Sequence, residues 1–64
     1  MTPDEYIDQL SRLVAEVRDQ EALDFAAKFE PQVQPPLTAE QSDYVGGMLE
    51  GPAMAVAMLE ASAA

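Results

Sequence analysis

The chain has 64 residues, and its twelve acidic side chains against three basic ones give a formal net charge of −9. It contains no cysteine and no histidine, which excludes disulfide bonds and zinc sites built from those residues. Nucleic acids and anionic membranes are excluded as direct partners because both require a cationic face. The composition therefore favours a basic protein partner, and the length favours one small domain over residues 1–64.

The first predicted element is an amphipathic helix over residues 3–19. Thr2 suits the N-cap, Pro3 suits the first helical position, and Glu5 completes a capping box with Thr2. The apolar residues that follow at helical spacing are Tyr6, Ile7, Leu10, Leu13, Val14 and Val17.

A second helical pattern covers residues 20–30, with a shifted phase. Either the apolar face widens, or a separate short helix begins near Asp19. Pro31 ends this pattern, and the three prolines within residues 31–37 predict an extended connector that acts as a stiff spacer.

Thr38 and Gln41 form a second capping-box pattern, which predicts a helix over residues 39–50. Gly46 and Gly47 inside it indicate either close packing against another helix or a hinge. Gly51–Pro52 predicts a break, followed by an Ala/Met-rich helix over 52–62 that is apolar on nearly every side. The expected fold is all-α, with three to four short helices and a Pro-rich connector.

Catalytic and metal-binding chemistry find no support in the residue types present. The serines have no histidine or other base partner, and the alternating acidic pattern of a calcium-binding EF-hand is absent from the sequence. We therefore expect a protein that is not an enzyme and that has no catalytic residues, no metal and no cofactor. The start, Met1–Glu5, lacks the features of a secretory signal, and the uncharged run 51–59 is shorter than the roughly 20 residues of a membrane span. We expect a cytoplasmic protein without membrane contact.

The distribution of charge is the main functional signal. Each of Arg12, Arg18 and Lys28 has an acid at helical distance, whereas the chain from Phe29 onward has five acids and no base. The acids predicted to bind a partner are Asp4, Glu5, Glu30, Glu40, Asp43, Glu50 and Glu60. The predicted apolar contact consists of Met48, Met54 and Met58. The alternatives are a solvated acidic surface that only confers solubility, and methionines that only fill the core.

In size, negative charge and helical pattern, the chain resembles the small acidic anti-CRISPR proteins of phages. That resemblance implies an inhibitor acting in the host cytoplasm. Such a protein occupies the basic nucleic-acid channel of a CRISPR effector complex as a DNA mimic and blocks binding of the target DNA. The expected partner is a subunit of such a complex, and the expected oligomeric state is a monomer or a weak homodimer.

Residues 46–51, Gly-Gly-Met-Leu-Glu-Gly, are similar to the inhibitory helix of antitoxins that act on Fic-type enzymes. Glu50 and Gly51 match that pattern, and Gly46 stands where those antitoxins carry a hydroxyl residue. This likeness implies the alternative function, a small antitoxin that neutralises a cognate toxin by helix-in-groove binding. An assembly adaptor that forms homo-oligomers through its apolar C-terminal helix is a third possibility.

Overall fold

A computed structural model describes residues 1–63, with the side chains of residues 1–62. The chain forms three α-helices, α1 (Pro3–Ala15), α2 (Asp19–Phe29) and α3 (Ala39–Ala63), and a 3₁₀ turn at Glu30–Gln32. No strand occurs within residues 1–63. The all-α prediction is confirmed.

The start of α1 has the predicted capping box. The Glu5 backbone N–H donates to Thr2 Oγ1 at 3.3 Å, and the Thr2 backbone N–H donates to Glu5 Oε1 at 3.2 Å. Two of the helix's first free donors are thereby satisfied. The helix then buries Tyr6 and Leu10 completely.

The predicted extension of α1 to residue 19 is wrong, because the chain reverses after Ala15. The Val17 N–H bonds to the Val14 carbonyl at 3.1 Å, and the Arg18 N–H bonds to the Leu13 carbonyl at 3.0 Å. This pair of bonds is the Schellman motif, which closes a helix and releases the chain in a new direction. A separate helix then begins at Asp19, which confirms that alternative.

Val17 occupies the left-handed position of this motif, with φ of 58°, and its side chain is 74% exposed. A β-branched residue is strained there, whereas glycine is not. We expect Val17→Gly to raise the free energy of unfolding by about 1 kcal/mol, measured by urea denaturation. Val17→Ala is the control: it retains a Cβ and should gain much less. Equal gains in the two variants would contradict the assignment of strain to Val17.

The Pro-rich connector is more than a spacer, which corrects the prediction. Helix α2 ends at Phe29, and the chain continues through the 3₁₀ turn to Val33, which is only 2% exposed. The Gln34 N–H donates to the Met1 carbonyl at 2.8 Å. The connector therefore contributes a core residue and binds the N-terminal segment.

Helix α3 starts where predicted, since Gln41 N–H donates to Thr38 Oγ1 at 3.2 Å and Thr38 N–H donates to Gln41 Oε1 at 2.9 Å. The predicted break at Gly51–Pro52 is wrong, because α3 continues through it as one 25-residue helix. A proline disfavours helical conformation in the preceding residue, partly through contact with that residue's Cβ. Gly51 has no Cβ, so this part of the clash is absent. Pro52 itself is buried.

Close packing against another helix was one of the two alternatives predicted for Gly46 and Gly47, and it does not occur. A Cβ placed on either glycine would meet no atom of another element within 4 Å in the described part of the chain. Both residues are exposed.

The core lies between the three helices and the connector, with α2 in contact with both α1 and α3. Its buried residues are Tyr6, Leu10, Ala22, Ala26, Val33 and Val45. At 1.5 Å per residue, α3 is about 37 Å long and α1 about 20 Å long. The molecule measures 40 × 19 × 18 Å, so α3 spans its whole length. The C-terminal part of α3 therefore projects beyond the other helices.

Candidate binding surface

The predicted partner-binding acids all lie on the surface. The structure places these residues in the exposed class: Asp4, Glu5, Glu30, Glu40, Asp43, Glu50 and Glu60. No charged side chain is buried among the described residues. The carboxylates can therefore contact a partner without any rearrangement of the core.

The arginines pair with acids of α1, of α2 and of the turn between these helices. Arg12 Nη2 lies 3.2 Å from Asp8 Oδ2, while Arg18 lies 3.1 Å from Glu16 and 3.3 Å from Glu21. All these groups are more than half exposed, so each pair contributes little to stability. None of these pairs involves an acid of α3, so those acids have no ion-pair partner among the described residues.

Lys28 does not form the ion pair with Asp24 that its spacing suggests. Its Nζ lies 5.2 Å from the centre of the Phe29 ring, at the distance of a cation–π contact. Asp24 instead accepts a hydrogen bond from Gln20 Nε2 at 3.1 Å.

Three of the candidate acids share one face of α3. At about 100° per residue, Glu40, Asp43 and Glu50 fall within roughly 80°, on the side opposite the buried Val45. We call these three residues the acidic face. They extend over about 15 Å of helix, or one charge per roughly 5–7 Å, against one per about 3.4 Å along a DNA strand. The acidic face can therefore meet a few lysines or arginines, but it is sparser than a phosphate backbone.

The remaining candidate acids lie elsewhere. Asp4 and Glu5 begin α1, and Glu5 is engaged in the capping box: the Thr2 backbone N–H and then its hydroxyl lower the pKa of the Glu5 carboxyl. Glu30 lies in the 3₁₀ turn, and Glu60 lies about 80° around α3 from Glu50. These four acids do not belong to the acidic face.

The predicted methionine contact divides into two parts. Met48 is half-buried against the core, and its Sδ accepts a hydrogen bond from Ser11 Oγ at 3.4 Å, which favours the alternative that this methionine fills the core. Met54 and Met58 are each 67% exposed. For these two residues, the contact prediction stays open.

Leu59 is an exposed apolar residue that the predicted contact omitted, at 69% exposure. Val45, Pro52 and Leu59 are spaced by seven residues and lie on the same side of α3. The first two are buried, whereas Leu59 is beyond the reach of α1 and α2. The seven-residue spacing was the sequence signal for this position, but it could not show where the other helices end.

Met54, Met58 and Leu59 form an apolar end of α3, and the binding free energy that their burial can supply is limited. Burying a whole Leu or Met side chain contributes about 1.5–3 kcal/mol, so burying the exposed two thirds of these three side chains contributes roughly 3–6 kcal/mol. A micromolar complex requires about 8 kcal/mol. The apolar end alone therefore falls short, and charge–charge attraction would have to supply the rest.

An open cavity of about 320 Å³ lies along the connector. Its lining consists of Glu30, Pro31, Val33, Gln34, Pro36, Leu37 and Ser42. Glu30 is its one ionisable residue, so the lining offers no acid–base pair. Within the described residues, no cluster of three or more potential metal ligands occurs, and no helix has both the length and the hydropathy to cross a membrane.

The candidate binding surface therefore consists of the acidic face of α3 and the apolar end that follows it along the helix. Comparisons with protein-family models, with curated proteins and with solved structures found no match to this chain.

Proposed function

We propose that this protein is a non-enzymatic inhibitor that binds a positively charged, nucleic-acid-binding surface of a protein partner. The observation that supports this most directly is the acidic face of α3, whose carboxylates have no ion-pair partner among the described residues. The chain from Phe29 onward supplies no base that could neutralise them. A surface built to bind DNA or RNA carries the complementary charge.

The mechanism follows from charge complementarity. A net charge of −9 attracts the protein to a basic channel and accelerates encounter. Once bound, the acidic face occupies lysines and arginines that would otherwise contact phosphates. The concrete form that we propose is an anti-CRISPR protein acting in the cytoplasm, which blocks target-DNA binding by a CRISPR effector complex.

The test reverses the charge of the acidic face by combining three substitutions, Glu40→Lys, Asp43→Lys and Glu50→Lys. We expect binding to a panel of purified CRISPR effector complexes to weaken by roughly tenfold to a hundredfold, because three attractive contacts become repulsive. Surface plasmon resonance at low and at high salt measures the loss. Wild-type affinity should itself fall steeply with salt.

The matched control combines Asp8→Lys, Glu16→Lys and Glu21→Lys. It makes the same change in net charge on acids that already have arginine partners. Circular dichroism establishes that both variants are folded. If the two variants lose affinity equally, only net charge matters and the acidic face is not the contact. If neither loses affinity, the proposed inhibition by charge is wrong.

The projecting apolar end of α3 favours a second candidate, a small antitoxin. Helix-in-groove binding relies on apolar anchors at helical spacing, such as Met54 and Met58. Such a complex should persist in 1 M salt, where exposed charges are screened beyond about 3 Å. Capture of a co-expressed toxin that survives this wash would favour the antitoxin over the charge-based inhibitor.

A further inference from the structure

We infer that the last part of α3, residues 51–62, inserts lengthwise into an apolar groove of the partner that has lysines or arginines at both ends. We call these residues the distal segment. The inference rests on the proposed function. It adds the shape and chemistry of the partner surface that lies next to the residues contacted by the acidic face. Three properties of the distal segment support it.

The first property is uncovered apolar area. Met54, Met58 and Leu59 are each about two thirds exposed, while every large apolar side chain of α2 is at least half-buried. Helix α3 extends past its neighbours, so no part of the described chain covers these residues. Within the described residues, the distal segment therefore carries the main uncovered apolar surface.

The second property is that the apolar side chains surround the helix. Val56 and Leu59 continue the side of α3 that faces the core, whereas Met54 and Met58 lie on the opposite side. A flat surface would cover one of these sides and leave the other in water. A groove covers both, so it is the shape that suits this segment.

The third property is the charge at the two ends. Residues 51–59 carry no charge, and Glu50 and Glu60 flank them. The C-terminal end of a helix also carries partial negative charge, and the last turn of α3 has no basic residue to offset it. A groove with cationic groups at both ends complements this arrangement.

The same charges disfavour a second copy of the chain as the occupant. Each copy has a net charge of −9. An antiparallel pair centred on Ala55 would place Glu50 of each copy opposite Glu60 of the other, with no cation to separate them. The repulsion at both ends leaves a basic partner as the favoured occupant.

The experiment uses the full chain and a synthetic helical hairpin whose two helices form a leucine-lined groove bordered by lysines. We expect binding, with NMR amide shifts concentrated in residues 50–62. The combined variant Met54→Ser, Met58→Ser and Leu59→Ser should bind at least tenfold more weakly. The control, Val17→Ser with Tyr44→Ser, removes exposed apolar side chains elsewhere and should keep wild-type affinity. A hairpin with serine in place of leucine and the same charge should bind the wild-type chain weakly.

Three results would overturn the inference. One is equal affinity of the serine variant and the wild-type chain for the leucine hairpin. Another is a dimer in sedimentation velocity that the serine substitutions dissolve, because the occupant is then a second copy. The last is tight binding to phosphatidylcholine vesicles, because the occupant is then lipid. The proposed inhibition fails separately: it is judged on effector complexes with Glu40→Lys and Asp43→Lys, which change neither the distal segment nor the two acids, Glu50 and Glu60, that flank it.

Discussion

Replacing both Gly46 and Gly47 with alanine is expected to raise the free energy of unfolding by about 2 kcal/mol, since a helix-interior glycine costs roughly 1 kcal/mol relative to alanine. Both residues lie inside α3, and neither has positive φ. The added Cβ atoms would meet no other element within 4 Å in the described part of the chain. The gain should appear as a rise in Tm of roughly 8–16 °C for a domain of this size.

Two control variants test the reason for that gain. Ala57→Gly, at an exposed position of the same helix, should lose about 1 kcal/mol. Gly51→Ala should gain little or nothing, because a Cβ there would crowd the Pro52 ring. Thermal and chemical denaturation followed by circular dichroism at 222 nm measure all three. A loss of stability in the Gly46/Gly47 variant would mean that α3 bends at these residues and that a continuous helix is wrong.

The contrast between Gly51 and the other two glycines explains where sequence reasoning failed in this half of the chain. Glycine followed by proline is the usual signal for one helix ending and another starting. The same pair also suits a helix that continues, since glycine removes one of the clashes that proline imposes on its predecessor. In the structure α3 continues through this pair and Pro52 is buried, and the burial of one residue in the folded chain does not follow from its immediate neighbours in sequence.

Local signals were sufficient where a few neighbouring side chains determine the structure. Thr2 with Glu5 and Thr38 with Gln41 fixed the starts of α1 and α3, and both capping boxes have the expected hydrogen bonds. The end of α1 was missed because its left-handed residue is Val17, where glycine is the usual signal. From the sequence alone, a valine at helical spacing cannot be distinguished from a core residue of a longer helix.

The candidate surface shows the same division between local and long-range information. The excess of acids beyond Phe29 and their exposure followed from sequence, because carboxylates without partners stay in water. The different burial of Met48 and Met58 did not, since both lie in an apolar pattern. Which methionine packs on the core depends on the length of α1 and α2 relative to α3.

Tyr6→Phe is expected to raise the free energy of unfolding by about 1–3 kcal/mol, the cost of a buried polar group without a partner. Tyr6 is fully buried, and its hydroxyl has no hydrogen-bond partner among the described residues. The ring itself stacks on Phe25 with centroids 5.5 Å apart, and phenylalanine would keep this contact. Tyr44→Phe, at a residue that is 59% exposed, is the control and should change stability little.

The same hydroxyl predicts how stability depends on alkaline pH. Burial, and then the nearby Glu30 carboxylate, raise the pKa of Tyr6 above its ordinary value of 10.0. Above that pH the unfolded chain loses the Tyr6 proton while the folded chain keeps it, so stability falls as pH rises beyond about 10. Urea denaturation between pH 8 and 11 should show this fall in the wild-type chain and in Tyr44→Phe, and a smaller one in Tyr6→Phe. A fall of equal size in Tyr6→Phe would mean that the Tyr6 hydroxyl reaches water or a partner in the folded protein.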